Sequence, residues 1–152
     1  YGNVFPYNIG QEAFGGNIFY IDEAGEHGLV ADDEILSTYP WGCNNVSGAQ
    51  EWSIGSGYQN TIDIAAGCSE SDNAASQALA HEKNGFDDWY LPSSSEMLEI
   101  KNKIGGFSNS NFYWTSTNSS DPTKALAFYN QFNSISSRYK YSGYPVRFIR
   151  SF

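Results

Sequence analysis

Runs of aromatic and β-branched residues lie at both ends of the chain and predict β-strands there. The run at residues 17–21 is followed by a turn at residues 22–26 and by a second apolar run at residues 27–31. This spacing is typical of a β-hairpin. Three more strands are predicted near the other end, at residues 112–116, 125–129 and 146–150.

Two helices are predicted between these groups of strands. The first spans residues 72–83, where Ser71 or Asp72 can cap an alanine-rich stretch and Asn84–Gly85 supplies a left-handed stop. The second begins after Pro92 with the capping box Ser93-Ser94-Ser95-Glu96, and Gly105–Gly106 ends it. Its apolar residues recur at helical spacing, at Met97, Leu98, Ile100 and Ile104.

The segment from residue 32 to residue 68 has no clear period and predicts long ordered loops with aromatic anchors. It contains the two cysteines, Cys43 and Cys68. We expect a disulfide between them, which would stabilise a Gly/Ser/Asn-rich segment in a secreted chain. The alternative is two buried free thiols in a cytosolic protein.

Strands, two helices and then strands, without regular alternation, predict an α+β fold with antiparallel sheets. The length of 152 residues fits a single domain, in which residues 1–14 form a lead-in. Because the chain begins with Tyr1 and not methionine, we interpret it as a processed chain or an excised domain. Charged residues make up 16% and aromatic residues also 16%, a composition that argues against disorder.

The charge is distributed unevenly. The formal net charge is −9, which argues against nucleic-acid binding and against docking on anionic lipid. Residues 1–100 hold sixteen acidic side chains and one basic one, whereas residues 101–152 hold one acidic and seven basic side chains. The first part is interpreted as an acidic, solvated surface. The second could form a neutral-to-basic face for an anionic or hydroxyl-rich ligand.

No catalytic or metal-binding motif is present in the sequence. His27 and His81 have no metal-ligand spacing, and the chain has no nucleophile elbow, Walker loop or dinucleotide fingerprint. The carboxylates at residues 32–34 and 87–88 could cap helices, solvate turns or hold Ca²⁺. We therefore expect no enzyme and no cofactor, with calcium as the alternative. No apolar run is long enough to insert into a membrane.

Four stretches together resemble one bacterial family. They are residues 15–21 with 27–31, residues 88–93 with Glu96, residues 113–117, and residues 144–150. In this order they resemble the DUF1566 domain, the C-terminal domain type of the Legionella collagen-like adhesin. That domain is similar to the C-type lectin-like fold, which also includes formylglycine-generating enzymes and the variable proteins of diversity-generating retroelements.

The resemblance implies a C-type lectin-like fold, with two helices on antiparallel sheets and long ordered loops. Trp89 and Trp114 would be core anchors between the second helix and the sheet. At least one of Arg147 and Arg150 would be tied to carbonyls or a carboxylate. Two departures limit the likeness: no cysteine follows Cys68, so the oxidase activity is not expected, and the calcium-and-sugar motifs of animal lectins are absent.

In the variable proteins of this fold, the ligand surface lies between the Tyr-Trp-Thr/Ser-Ser stretch and the last strand. Here that region is residues 118–144, which is rich in Tyr, Ser, Asn and Gly, the residues that build adaptable binding surfaces. The alternative is an ordinary hairpin with aromatic cross-strand pairs. The predicted ligand-binding residues are Asn118, Tyr129, Asn130, Arg138, Tyr139, Lys140, Tyr141 and Tyr144.

The expected function is a non-catalytic binding module, secreted or displayed at a bacterial or phage surface, such as an adhesin or receptor-binding tip. A glycan is the first candidate ligand and a host or surface protein the second. Alternatives are a retroelement-diversified variable protein, a homotrimeric structural cap on a fibre or stalk, and an enzyme of unrecognised type.

Overall fold

The computed structural model describes residues 6–152, which form three antiparallel sheets and three α-helices. The strands are Glu12–Ala13 (β1), Gly16–Ile21 (β2), Gly28–Ala31 (β3), Leu36–Tyr39 (β4), Phe112–Asn118 (β5), Lys124–Tyr129 (β6), Ser134–Tyr139 (β7), Tyr144–Val146 (β8) and Ile149–Ser151 (β9). The helices are Gly57–Ala66 (α1), Ala74–Ala80 (α2) and Ser94–Lys103 (α3). The predicted α+β class with antiparallel sheets is confirmed.

The first and last strands share one sheet. Its strand order is β1-β2-β3-β9, so the last strand of the chain pairs with the N-terminal hairpin. The hairpin itself is confirmed, and Asp22 closes its turn by accepting hydrogen bonds from the amides of Glu26 and His27. The predicted lead-in contributes β1 to this sheet, although residues 1–5 lie outside the described part of the chain. The other sheets are β4-β8 and β5-β6-β7.

Two buried clusters form the core, on opposite faces of the β5-β6-β7 sheet. One contains Trp114 and packs against α1 and α2, and the other contains Tyr113 and Phe128 and packs against α3. Neighbouring residues such as Tyr113 and Trp114 enter different clusters because successive strand residues point to opposite faces. Trp89 and Trp114 are fully buried as expected, but with α1 and α2 rather than with the helix of the capping box.

Helix α1 was not predicted. It lies in the segment that was expected to be long loops, and it makes the number of helices three where two were predicted. Its buried positions include the polar residues Asn60 and Thr61, so the sequence shows no apolar helical period. Both side chains are satisfied inside the fold. Asn60 donates to the Glu51 carbonyl at 2.8 Å, and Thr61 donates to the Gly57 carbonyl at 2.7 Å. A hydrogen-bond partner of this kind makes a polar residue acceptable in the core.

Helix α2 is shorter than predicted at both ends. Its cap is Asn73, whose side chain accepts from the Ser76 amide at 2.9 Å, and not Ser71 or Asp72. The helix ends at Ala80 because the next residue is already extended. Asn84 and Gly85 are left-handed, but they do not end the helix. They form a two-residue turn between Lys83 and Phe86, which pair as an isolated antiparallel β-bridge.

The capping box of α3 is confirmed. The Ser93 hydroxyl accepts from the Glu96 amide, and the Glu96 carboxylate accepts from the Ser93 amide at 2.8 Å. Glu96 also accepts from the amide of Gly55 at 2.9 Å, just before α1. Burial raises the pKa of Glu96, although these amide donors oppose the shift. One carboxylate therefore joins the starts of two helices.

The tail of the chain has five strands, two more than predicted. Strand β7 was missed because Ser-Ile-Ser-Ser-Arg-Tyr contains too few apolar residues to show a two-residue period. The predicted last strand at residues 146–150 is divided into β8 and β9, since Arg147 turns inward between them. Residues 118–144 therefore form a hairpin of β6 and β7 with flanking loops.

The disulfide between Cys43 and Cys68 is confirmed. It joins the loop before α1 to Cys68, the second residue after the end of this helix.

Candidate ligand-binding surface

The β5-β6-β7 sheet carries the tail, and its register assigns the side chains to two faces. Phe128 pairs with Tyr113 on one side and with Ile135 on the other, whereas Ala127 pairs with Trp114 and Ser136. We call the first surface the groove face, formed by Tyr113, Lys124, Leu126, Phe128, Ile135, Ser137 and Tyr139. We call the opposite surface the ladder face, formed by Phe112, Trp114, Ala125, Ala127, Tyr129 and Arg138.

The predicted ligand-binding residues do not form one surface. Arg138 and Tyr139 are neighbours in β7 and therefore lie on opposite faces of the sheet. Tyr129, Arg138 and Tyr144 belong to the aromatic packing of the ladder face. Tyr139 lies on the groove face, and Tyr141 stacks on its ring at a centroid distance of 5.5 Å.

Asn118 and Asn130 are buried and serve the fold. The Asn118 amide donates to the carbonyls of Val46 and Gly48 at 3.1 and 3.3 Å, so it attaches the disulfide-bonded loop to the end of β5. The Asn130 amide donates to the Phe107 carbonyl at 3.0 Å. Because their amide nitrogens are used internally, we remove both residues from the candidate surface.

Lys140 is also buried, with 1% of its surface exposed. Its ammonium group donates to the Pro122 carbonyl at 3.0 Å and lies 4.7 Å from the ring centroid of Trp41. Burial lowers the pKa of Lys140. A cation held between a carbonyl and an indole ring is a packing element, so Lys140 leaves the candidate surface as well.

Arg147 and Arg150 are both tied down, as expected of at least one of them. Arg147 donates to the carbonyls of Asp32 and Gly105 at 2.8 and 2.6 Å. Arg150 forms a two-point pair with the Asp88 carboxylate, with its Nε at 2.6 Å. The hydrogen bonds from Arg150 hold the pKa of Asp88 below its ordinary value.

The basic surface predicted for the tail is therefore much reduced. Three of its seven basic side chains, Lys140, Arg147 and Arg150, are buried, and Lys101 and Lys103 belong to α3. The tail sheet itself presents Lys124 on the groove face and Arg138 on the ladder face. Each face of the tail sheet therefore carries one basic side chain, and the tail as a whole does not form a basic surface.

The aromatic side chains of the ladder face are packed against each other. Phe112 stacks on Tyr129 at a centroid distance of 4.6 Å, and Tyr144 bridges Phe112 and Trp114 at 5.4 and 4.9 Å. Arg138 covers the Phe112 ring at 4.2 Å and donates from Nε to the Tyr144 hydroxyl at 2.9 Å. The rings pack against each other and against the guanidinium group of Arg138, so this face resembles a small extension of the core.

The groove face is open along part of its length. Leu126, Ile135 and Ser137 form the floor of a groove of about 440 Å³, and Trp52 forms one wall. Trp52 is 46% exposed, whereas the other three tryptophans are fully buried. This volume lies in the range of small-ligand clefts, about 300–1,000 Å³.

Charged groups also line this groove, at Asp121 and Lys124. Lys124 lies with its ammonium nitrogen 4.8 Å from the Tyr139 ring centroid, and within residues 6–152 it forms no ion pair. Asp121 accepts from the amide and the hydroxyl of Thr123 at 2.9 and 2.7 Å. These hydrogen bonds hold the pKa of Asp121 below its ordinary value. Beyond Tyr139, the Tyr141 ring is 72% exposed.

Trp52 was not predicted from the sequence. No motif marks it, and it stands in a Gly/Ser-rich segment without a helical or strand period. The available signal was the presence of one large aromatic residue among small polar ones, which can indicate either a core anchor or an exposed contact. Only its long-range position, opposite β6 and β7, distinguishes the two.

The acidic clusters bind cations of the chain itself. Lys83 contacts the carboxylates of Asp32, Asp33 and Glu34, at 2.5, 2.8 and 3.2 Å. His81 completes the cluster at 2.9 Å from Asp32. Although burial opposes it, these hydrogen bonds raise the pKa of Lys83. Across residues 6–152, no three His, Cys, Asp or Glu side chains come together as a metal-binding group.

Other surface depressions offer fewer ligand-binding features. One of them, of about 400 Å³, surrounds the turn at residues 82–87, where Lys83 is already neutralised by carboxylates. Another, of about 230 Å³, lies beside His27 and Phe152 and is mostly apolar. No helix within residues 6–152 is both long and apolar enough to cross a membrane.

Comparison with known proteins informs the fold. No protein-family profile and no curated protein matches the chain. Among solved structures, a fimbrial protein from Bacteroides ovatus is similar, with a TM-score of 0.53 and 14% sequence identity. The match covers 80% of this chain but 35% of the fimbrial protein, so the chain spans about a third of that structure's length. At this identity, the chain is similar to part of a fimbrial protein in fold alone.

Proposed function

We propose that the protein is a non-catalytic binding module of the extracellular surface, an adhesin or receptor-binding tip that recognises glycan. The observation that carries the proposal is the exposed, stacked pair Tyr139–Tyr141, which continues past Lys124 into the open groove beside Trp52. Flat, exposed rings beside polar groups are suited to the apolar faces and hydroxyl groups of sugars.

Two further observations support a surface location. The chain contains a disulfide, which persists in oxidising compartments and at cell surfaces. Its fold is similar to part of a protein described as fimbrial. We also propose that the fold is C-type lectin-like and that the chain is a DUF1566-type domain, on the strength of the four sequence stretches together with the antiparallel sheets.

The proposal narrows the predicted ligand surface to the groove face. Tyr139 and Tyr141 remain as ligand contacts, and Trp52 joins them. Arg138, Tyr129 and Tyr144 become packing residues of the ladder face, because their rings and charge already contact each other. No calcium requirement is proposed, since four of the five candidate carboxylates, those of Asp32, Asp33, Glu34 and Asp88, pair with Lys83 or Arg150.

A glycan array tests this function. Wild-type protein is applied with and without EDTA, beside the double variant Tyr139→Ala/Tyr141→Ala and the control Phe132→Ala, which removes an exposed ring from the turn before β7. We expect capture by wild type and control, unaffected by EDTA, and none by the double variant. Equal capture by the double variant would contradict the site. No capture by wild type, with a stable trimer in sedimentation, would favour the structural cap.

A further inference from the structure

The most informative feature beyond the tyrosine pair is the wall of the groove. Trp52 is exposed, yet the backbone around it is fixed by scaffold donors. The Glu51 carbonyl accepts from Asn60 and Thr117, the Trp52 carbonyl accepts from the Ser95 amide at 2.9 Å, and the next carbonyl accepts from a serine hydroxyl. An exposed ring on a fixed backbone loses little conformational entropy when a ligand packs on it.

The indole of Trp52 also differs from the others in its hydrogen bonding. The Nε1 groups of Trp41, Trp89 and Trp114 donate to backbone carbonyls at 2.8, 3.1 and 2.9 Å. Trp52 Nε1 donates to no group within residues 6–152. Trp52 therefore contributes to the lining of the groove with an exposed ring and an indole donor that is not used within the described residues.

The lining of the groove also includes one negative and one positive group, Asp121 and Lys124. The hydrogen bonds that Asp121 receives from Thr123 reach Oδ1, and Oδ2 receives none from the described residues. Lys124 donates its backbone amide to the Asp121 carbonyl at 3.0 Å, which places the two residues together. An anionic ligand would be attracted by Lys124 and repelled by Asp121, whereas a neutral polyol can donate to the carboxylate and accept from the ammonium.

We infer that the groove between Trp52 and Asp121–Lys124 is a subsite for a neutral pyranose. This inference rests on the proposed glycan-binding function and gives it a sugar class and a position. The C–H face of the sugar ring packs on the indole, because the aromatic face is electron-rich and the sugar C–H groups are weakly positive. Adjacent hydroxyl groups donate to Asp121 Oδ2 and accept from Lys124. Leu126 and Ile135 exclude water from the floor.

The test is a titration with methyl glycosides of galactose, glucose and N-acetylglucosamine, with N-acetylneuraminic acid as the anionic arm. Binding is followed by the protection of Trp52 emission from acrylamide, since Trp52 is the exposed tryptophan, and by calorimetry, which does not depend on the indole. We expect at least one neutral glycoside to bind and to protect Trp52, and the acid to bind at least about tenfold more weakly.

Variants separate this subsite from the general function. Trp52→Ala and Asp121→Asn should each weaken the neutral sugar by about tenfold or more, whereas Trp52→Phe, which keeps a ring, should stay within about threefold of wild type. If a neutral sugar binds wild type and Trp52→Ala equally, the subsite is wrong and glycan binding stands. Stronger binding of the acid overturns the sugar class. If no saccharide binds wild type in the titration or on the array, both proposals fail.

Discussion

Both faces of the β5-β6-β7 sheet carry aromatic and basic side chains. They differ in how many of these side chains already pack against each other. On the ladder face, Arg138, Phe112 and Tyr144 satisfy each other. Beside the groove face, Trp52 and Tyr141 present large rings to solvent. A count of tyrosines and arginines cannot distinguish these situations. The difference teaches that a ligand surface is recognised by unsatisfied groups on a fixed backbone, not by composition alone.

If the ladder face is an extension of the core, its innermost ring should be the most costly to remove. We expect Trp114→Ala to lower the free energy of unfolding by about 3–5 kcal/mol, because it leaves a large cavity and an unpaired Tyr39 carbonyl. Urea denaturation followed by circular dichroism measures this. A loss below about 1 kcal/mol would show that this face is not part of the core.

The outer part of the ladder should contribute less to stability. Phe112 is only partly buried, so Phe112→Ala should cost about 1–2 kcal/mol through the lost contacts with Tyr129 and Arg138. The same variant should leave glycan capture unchanged when it is assayed below its melting transition. Loss of capture in a folded Phe112→Ala protein would place the ligand on the ladder face instead.

The buried cation near the ladder gives a subtler test. Lys140→Met keeps the length of the side chain over Trp41 and removes a charge that burial disfavours. We expect the free energy of unfolding to change by less than about 1 kcal/mol in either direction, with glycan capture unchanged. Abolished capture with normal stability would restore Lys140 as a ligand contact.

The dependence of stability on acidic pH should distinguish Arg150, which is paired with Asp88, from Lys124, which forms no ion pair within the described residues. The pKa of Asp88 lies below its ordinary value because Arg150 donates to it. The stabilisation from this pair is therefore complete above about pH 4 and lost as the pH falls through the folded pKa. The melting temperature of Asp88→Asn should fall less than that of wild type between pH 5 and pH 3, and Lys124→Gln should follow wild type. Identical slopes for Asp88→Asn and wild type would argue against the pair.

The smallest effects on stability are expected at the exposed rings beside the groove. Trp52→Ala and Tyr141→Ala should each change the free energy of unfolding by no more than about 0.5 kcal/mol, because both rings are exposed. Urea denaturation of the two variants beside Phe112→Ala gives a direct contrast between the faces. A loss near 2 kcal/mol for Trp52→Ala would show that its ring closes the core and does not serve a ligand.

Local signals predicted the parts of the fold that depend on neighbours in sequence. The Ser93–Glu96 capping box located α3, and the rings of β2 and their turn located the first hairpin. Helix α1 was missed because its buried face includes the polar residues Asn60 and Thr61, and Thr61 accepts from the amide of Leu91, 30 residues away in sequence. A polar residue that is buried by a distant partner has no signature in a single sequence.

The candidate site shows the same limit. Tyr139 and Tyr141 were predicted and lie on the proposed surface, but Asn118 and Lys140 were assigned by residue type and are held by carbonyls far along the chain. Trp52 was missed because it joins the groove across more than sixty residues of sequence. The strand register decided which residues belong to the candidate surface, because a shift of one position along β7 would move each of its side chains to the opposite face of the sheet.

The most direct test of the central claim is the position of the bound glycan on the sheet. Amide and indole resonances of isotope-labelled protein are recorded while the best-binding neutral saccharide from the array is added. The account predicts that shifts concentrate at Trp52, at residues 119–124 and at residues 137–141, with Phe112 and Phe132 unmoved. Shifts centred on Phe112, Tyr129 and Phe132, with the Trp52 indole unchanged, would contradict it.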